Sequence, residues 1–121
     1  MPTKKTLVIG ASENKDRYSY LAVQLLRKYA HPVIAIGRKE GMVSDVSIIT
    51  NMPNEKEVDT VTLYINPTTQ KDFYTYIVSL HPKRIIFNPG TENDELSALA
   101  KANNIEPIEA CTLVMLNTGQ Y

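Results

Sequence analysis

The residues whose types and spacing could do chemistry begin with Gly10-Ala11-Ser12, directly after the apolar run Leu7-Val8-Ile9. Ser19 follows, inside Tyr18-Ser19-Tyr20 at the start of a helical pattern. The chemistry they suit is anion binding rather than bond making. Gly10 can turn the chain where other residues cannot, and it lets a ligand approach the backbone. The helix behind it points unpaired N–H groups and its positive dipole end at the same place. Three more polar clusters follow later apolar runs: Gly37-Arg38-Lys39, Ile65-Asn66-Pro67 and Asn88-Pro89-Gly90.

A nucleophile is harder to find. His31 and His81, the only histidines, each fall between a helix and the next strand. A histidine there serves as a helix-end residue facing the dipole. Ser–His or Cys–His activation has no evident supply, and a histidine–cysteine metal cluster lacks ligands. For acid–base work only Tyr64, Tyr74 and Tyr76 can be nominated.

The elements that must hold these clusters alternate. Strands are expected at Thr6–Gly10, Val33–Gly37, Val46–Thr50, Thr60–Ile65 and Arg84–Asn88, with a sixth beginning at Ile108–Ala110. The apolar first strand, without polar alternation, implies burial on both faces. Helices are expected over Ser19–Ala30, from an Asn66 cap and Pro67 to about Leu80, and over Glu92–Asn103. In the first helix Leu21, Ala22, Leu25, Leu26 and Tyr29 share a face. Pro32, Pro82 and Pro107 each separate a helix from the strand after it. The tail Leu113–Leu116 is apolar without a clear conformation. Such alternation predicts an α/β fold: a Rossmann-like, doubly wound, mostly parallel sheet with helices on both faces, one domain over residues 1–121.

In such sheets ligands bind outside the carboxyl ends of the strands, where strand order reverses. All four polar clusters fall at that edge, and both histidines at the other. A dinucleotide fingerprint would need three glycines and an acid after the second strand. Here one glycine stands in the loop, and Arg38 and Lys39 replace the acid. That argues against NAD and permits NADP, or a 3′-phosphorylated adenosine such as coenzyme A. The pair also fits a plainer reading as solvated turn residues, and Gly10 that of a structural turn. A helix start is worth about 0.3–1 kcal/mol to an anion, and up to about 2 when partly buried. Thr91-Glu92-Asn93-Asp94 already fills the third helix start with acids. The diphosphate is therefore expected over the first helix, with Pro89 and Gly90 allowing close backbone approach.

Composition narrows the partners. The chain has 121 residues, and Lys plus Arg equal Asp plus Glu at 13 each. A zero balance argues against a general nucleic-acid binder. The apolar runs are too short to span a bilayer, and no signal-peptide core follows Met1-Pro2-Thr3-Lys4-Lys5. One cysteine, Cys111, excludes an internal disulfide and fits a reducing cytoplasm.

With Gly10-Ala11-Ser12, Tyr18-Ser19-Tyr20 and an acid-free second strand end, the chain resembles the small stand-alone CoA-binding domains. These are similar to the N-terminal CoA-binding domain of the succinyl-CoA synthetase α subunit. Val58-Asp59-Thr60-Val61, Asn88-Pro89-Gly90 and Cys111 extend the likeness over most of the chain. The resemblance implies CoA or acyl-CoA as ligand, with Gly10, Ala11, Ser12 and Ser19 on the diphosphate. It implies further contacts from Gly37, Arg38 and Lys39, and from Ile65, Asn66 and Pro67 against adenine or pantetheine. The chain departs from the family pattern in three places. Gly37-Arg38 stands where Asn-Pro is common, Phe87-Asn88 where tryptophan and glutamine often occur, and an apolar run follows Cys111. No phosphorylatable-histidine or nucleotide-grasping domain accompanies it, which implies a binding module, a carrier or sensor, rather than an acyl-CoA ligase. Two other readings stand beside it: an NADP-linked enzyme, and a ligand-free scaffold that dimerises through Leu113–Leu116; an unidentified protein partner is the alternative to a homodimer. Cys111 reads as a small buried apolar residue, or as the site of a mixed disulfide with CoA under oxidising conditions.

Overall fold

The computed structural model describes residues 2–121. Its strands are β1 (Thr6–Ala11), β2 (Val33–Gly37), β3 (Gly41–Val43), β4 (Val46–Ile49), β5 (Thr60–Leu63), β6 (Arg84–Phe87) and β7 (Glu106–Glu109). Its helices are α1 (Tyr18–Lys28), α2 (Pro67–Gln70), α3 (Tyr74–Leu80), α4 (Asp94–Ala102) and α5 (Thr112–Asn117), with a 3₁₀ turn at Lys71–Phe73. All seven strands share one sheet, ordered β3-β4-β2-β1-β5-β6-β7 and parallel except for β3. The chain builds leftward from β1 and then crosses back to β5, so strand order reverses between β1 and β5. This is the expected Rossmann-like α/β fold.

Each face of the sheet is covered by helices. Leu7, Ile9, Val61, Leu63, Ile85 and Phe87 pack against Ile77 and Leu80 of α3 and Leu96 and Ala100 of α4. On the other face Val8, Ala35, Val46 and Ile48 meet Val23 and Leu26 of α1 and Leu116 of α5. Burial on both faces explains why β1 runs Leu-Val-Ile with no polar alternation. No helix among the described residues is long and apolar enough to cross a membrane.

Several local expectations are corrected. The buried stripe of α1 is Ser19, Ala22, Val23 and Leu26, whereas Leu21 and Tyr29 are 41% and 46% exposed. A one-step rotation of the apolar face is invisible to periodicity when Leu21 and Leu25 also border a groove beside Leu113 and Asn117. β7 starts at Glu106, two residues early, and contains Pro107 rather than following it. Its partner lies on one side only, and an edge strand tolerates a residue without an N–H. Leu113–Leu116 lies within the short helix α5, and β3 is a strand that periodicity did not anticipate.

Candidate functional site

The candidate site lies at the carboxyl ends of β1 and β5, where strand order reverses. Gly10 sits within β1 at φ +97°, at the point where the β1–β2 register slips between Ile9 and Ala11. This is a bulge that only glycine enters without strain. A Cβ at Gly10 would lie 2.9 Å from both the carbonyl carbon and oxygen of Tyr64, and 3.0 Å from Ile65 Cγ2. The glycine is thus required by close backbone packing as well as by its angles.

Beyond it, Ser12 Oγ accepts a bond from the Asn14 N–H at 3.0 Å, and Asn14 Oδ1 accepts from the Asp16 N–H at 3.0 Å. These turns deliver the chain to α1. Arg17 occupies the N-cap in extended conformation, its side chain makes no cap bond, and the first turn carries no acid. Tyr20 N–H donates to the Arg17 carbonyl at 3.1 Å, which leaves the Tyr18 and Ser19 N–H groups without an intrahelical acceptor. Ser19, in that turn, is buried.

The starts of α2 and α4 at this edge supply their own caps, and at α5, whose N-cap Cys111 makes no side-chain bond, Thr112 N–H is taken by Asn88 Oδ1 at 2.9 Å. Asn66 Oδ1 accepts from Thr69 N–H at the head of α2. Asn93 Oδ1 accepts from Glu95 and Leu96 N–H at the head of α4, beside Asp94 and Glu95. Glu92 Oε1 also takes the Gly90 N–H at 2.9 Å. An anion at α4 would meet these carboxylates, whereas the first turn of α1 carries no acid and its Tyr18 and Ser19 N–H groups lie ahead of the first bonded amide, Tyr20. Gly90 itself has φ +91° and open space where a Cβ would stand.

Gly10, Ala11, Ser12, Ser19, Gly37, Arg38, Lys39, Ile65, Asn66, Pro67, Pro89 and Gly90 all lie at or just beyond the carboxyl edge of the sheet. Ala11 faces Gly37 across the β1–β2 pair, so the loops that begin at Ser12 and Arg38 leave side by side. Arg38 and Lys39 are exposed, and the ion pairs among the described residues, Lys5–Glu55, Arg27–Asp45 and Lys83–Asp59, lie elsewhere. Asn88 turns inward instead. Its amide nitrogen donates to Thr62 Oγ1 and to the Leu63 carbonyl, and its oxygen accepts from Thr112 N–H, tying α5 to the sheet.

The sequence did not point to Gln70 or to the contact between Glu13 and β3. Gln70 is fully buried and donates to the carbonyls of Ile65 and Thr91, so it joins the loops after β5 and β6. Its side chain is polar on a short helix, and no spacing rule marks such a residue as a hub.

The tyrosines nominated for proton transfer have pKa values raised chiefly by burial. Tyr64 Oη is buried without a partner, Tyr74 Oη accepts from Asn93, and Tyr76 Oη donates to the Pro53 carbonyl. None resembles a group poised to ionise near neutral pH. Cys111 is half-buried at the N-cap of α5.

Both histidines lie at the opposite edge. His81 caps α3 in the left-handed conformation at φ +48°. His31 is only 8% exposed, accepts the Lys4 N–H at its Nδ1, and packs edge-on to Tyr121. Burial, then the charges of Lys4 and Arg84, push its pKa below the usual histidine value. The unfolded chain therefore binds more protons in this range, and the associated stability, intact above about pH 6.5, is lost as pH falls below it. The melting midpoint is expected to drop between about pH 7.5 and 5.5, and to drop less in His31→Gln. An equal drop in both proteins would assign the effect to other groups.

Comparison with known proteins places the chain by family and by fold. The model of a family described as a CoA binding domain matches residues 4–117. No curated protein matches the chain. Among solved structures, an uncharacterized protein is 51% identical, with a TM-score of 0.96 and 100% coverage of both chains. A hypothetical protein from Pyrococcus horikoshii OT3 is 18% identical at a TM-score of 0.86, covering 96% of this chain and 83% of that one. A protein from Thermus thermophilus, cell-free ID.343, is 16% identical at 0.84, covering 98% and 91%. The last two likenesses speak to fold alone. The family match over nearly the whole length, on a Rossmann-like sheet with an open helix start at its switch point, means that this chain belongs to the CoA-binding domain family.

Proposed function

We propose that residues 1–121 act as a single, non-catalytic module that binds coenzyme A or an acyl-CoA at the β1/β5 switch point. The backbone of Gly10-Ala11-Ser12 and the amides of α1, with the Ser19 hydroxyl, hold the diphosphate. Arg38 and Lys39 meet the phosphate on the ribose. Ile65, Asn66 and Pro67 line the opposite wall against adenine or pantetheine, and Pro89 and Gly90 leave room beside it. For Asn66 this contact falls to the backbone and amide nitrogen, since its side-chain oxygen caps α2.

One observation carries the reading. The start of α1 has neither a side-chain cap nor an acid, whereas α2 and α4 at the same edge have caps of their own and the first amide of α5 is taken by Asn88. An uncapped helix start next to a positive-φ glycine suits a diphosphate, and family membership names the diphosphate's owner.

The test is thermal unfolding with CoA, acetyl-CoA, NADP and ATP. A ligand present at about 100 times its dissociation constant adds about 2.7 kcal/mol, which in a domain of this size raises the midpoint by about 10 °C. A shift with the CoA species and not with NADP or ATP is expected. A shift with NADP alone would replace the proposal with a dinucleotide site.

A further inference from the structure

We propose that Glu13 is a positioning residue which, together with Gly41, sets a preference for a ribose bearing a 3′-phosphate. The inference rests on the CoA reading and names the part of the ligand that this contact serves.

The phosphate loop and the basic segment are anchored to each other at two points. The first is Gly37, where a Cβ would overlap the Ala11 carbonyl oxygen and lie 2.8 Å from Ile48 Cγ2, so the two strand ends touch directly. The second lies four residues on. Glu13 Oε2 accepts the Met42 N–H at 2.8 Å, and the Glu13 side chain crosses Gly41 so closely that a Cβ there would overlap its carboxyl carbon. Arg38, Lys39 and Glu40 are the three residues between these anchors. They cannot swing away from Ser12–Arg17 without breaking one of them.

The far end of the hairpin is also tied down. β3 pairs antiparallel with β4 at the sheet edge, and Asp45 in their turn accepts Arg27 Nε at 2.8 Å and Nη2 at 2.9 Å. The hairpin is therefore fastened to the loop before α1 and to the last turn of α1. An edge strand leaves alternate amides without partners, and Glu13 occupies that of Met42.

Placement matters because exposed cations contribute little unless their geometry is held. Ordering two long flexible side chains offsets most of what a solvent-screened ion pair contributes. A backbone pinned at Gly37 and Gly41 removes part of that cost for Arg38 and Lys39. The latch also commits the Glu13 carboxylate to β3, so that an acid within the phosphate loop is held on an amide of its own.

Calorimetric titration of CoA and of dephospho-CoA, which lacks only the 3′-phosphate, tests this. The wild type is expected to bind CoA about tenfold more tightly than dephospho-CoA, as a charge-assisted contact implies. Glu13→Ala and Gly41→Ala should each bring that ratio below about threefold while leaving dephospho-CoA affinity near wild type. Gln at position 13 can still accept the Met42 N–H, so Glu13→Gln should retain the ratio. An unchanged ratio in both Glu13→Ala and Gly41→Ala would overturn the latch. Equal wild-type affinity for the two ligands would overturn the 3′-phosphate preference and leave CoA binding intact. If wild type binds neither, both the preference and the CoA reading fall.

Discussion

Replacing Gly10 with valine is expected to lower the melting midpoint of the free chain by about 10 °C and to abolish the shift produced by CoA. Two costs arise at once. At φ +97° a β-branched residue is strained, by about 1–3 kcal/mol. Its Cβ would also stand 2.9 Å from the Tyr64 carbonyl group, which is backbone and cannot rotate away. Relieving that overlap means moving β1 from β5, and overpacking of this kind costs about 1–3 kcal/mol more. The same displacement widens the floor of the crevice and turns the Ala11 and Ser12 amides from the start of α1. Gly10→Ala meets the identical Cβ contact without the second branch, so it should show the same effects in smaller measure. Titration well below each variant's midpoint separates lost binding from lost folding. A folded Gly10→Val protein with wild-type CoA affinity would remove this loop from the site.

Gly10 was legible in the sequence because its signal is local: an apolar strand, a glycine, then a helical pattern. The strand-helix order and the edge at which the polar clusters lie were legible for the same reason, since alternation fixes a parallel sheet and a parallel sheet has one ligand edge. β3 was not. Its turn is Ser44-Asp45, with Ser44 at φ +55°, and it lacks the glycine or asparagine that usually announces a two-residue hairpin. With β3 hidden, the Glu13 contact had no partner to be read against, although both residues were in plain view. α5 was hidden for another reason. Six residues are too few for an autonomous helix, and this one is held by the bond from Thr112 N–H to Asn88 and by burial of Leu116. Asn88 illustrates the limit most sharply. Its place after β6 put it at the ligand edge, and only its three buried bonds show that it faces the other way.

Gln70→Leu, a change of similar volume at a residue that is not itself a proposed ligand contact, is expected to lower the midpoint by about 10 °C. Gln70 uses its whole functional group: the amide nitrogen donates to Ile65 O at 2.9 Å and Thr91 O at 2.8 Å, and the oxygen accepts from Asn93 Nδ2 at 2.8 Å. Leucine removes all three bonds and leaves their partners facing an apolar side chain. Each buried group so stranded costs about 1–3 kcal/mol, and because the three share one site their costs do not add in full, giving about 3 kcal/mol overall. Gln70→Glu separates hydrogen bonding from volume. Its carboxylate cannot donate to two carbonyls and is buried charged, so it should be the worse variant at neutral pH. Burial raises the pKa of such a glutamate above its unfolded value, so the loss should shrink as pH falls toward about 5 and the proton returns a donor. The consequence for the crevice follows from what Gln70 joins. Ile65 begins the wall after β5, Thr91 ends the loop containing Pro89 and Gly90, and Asn93 caps α4. With the hub gone these segments lose their common anchor, and CoA affinity should fall in a folded protein whose proposed contact residues are all intact. Full retention of affinity in Gln70→Leu would mean that the walls are held independently, and that the phosphate loop alone carries the ligand.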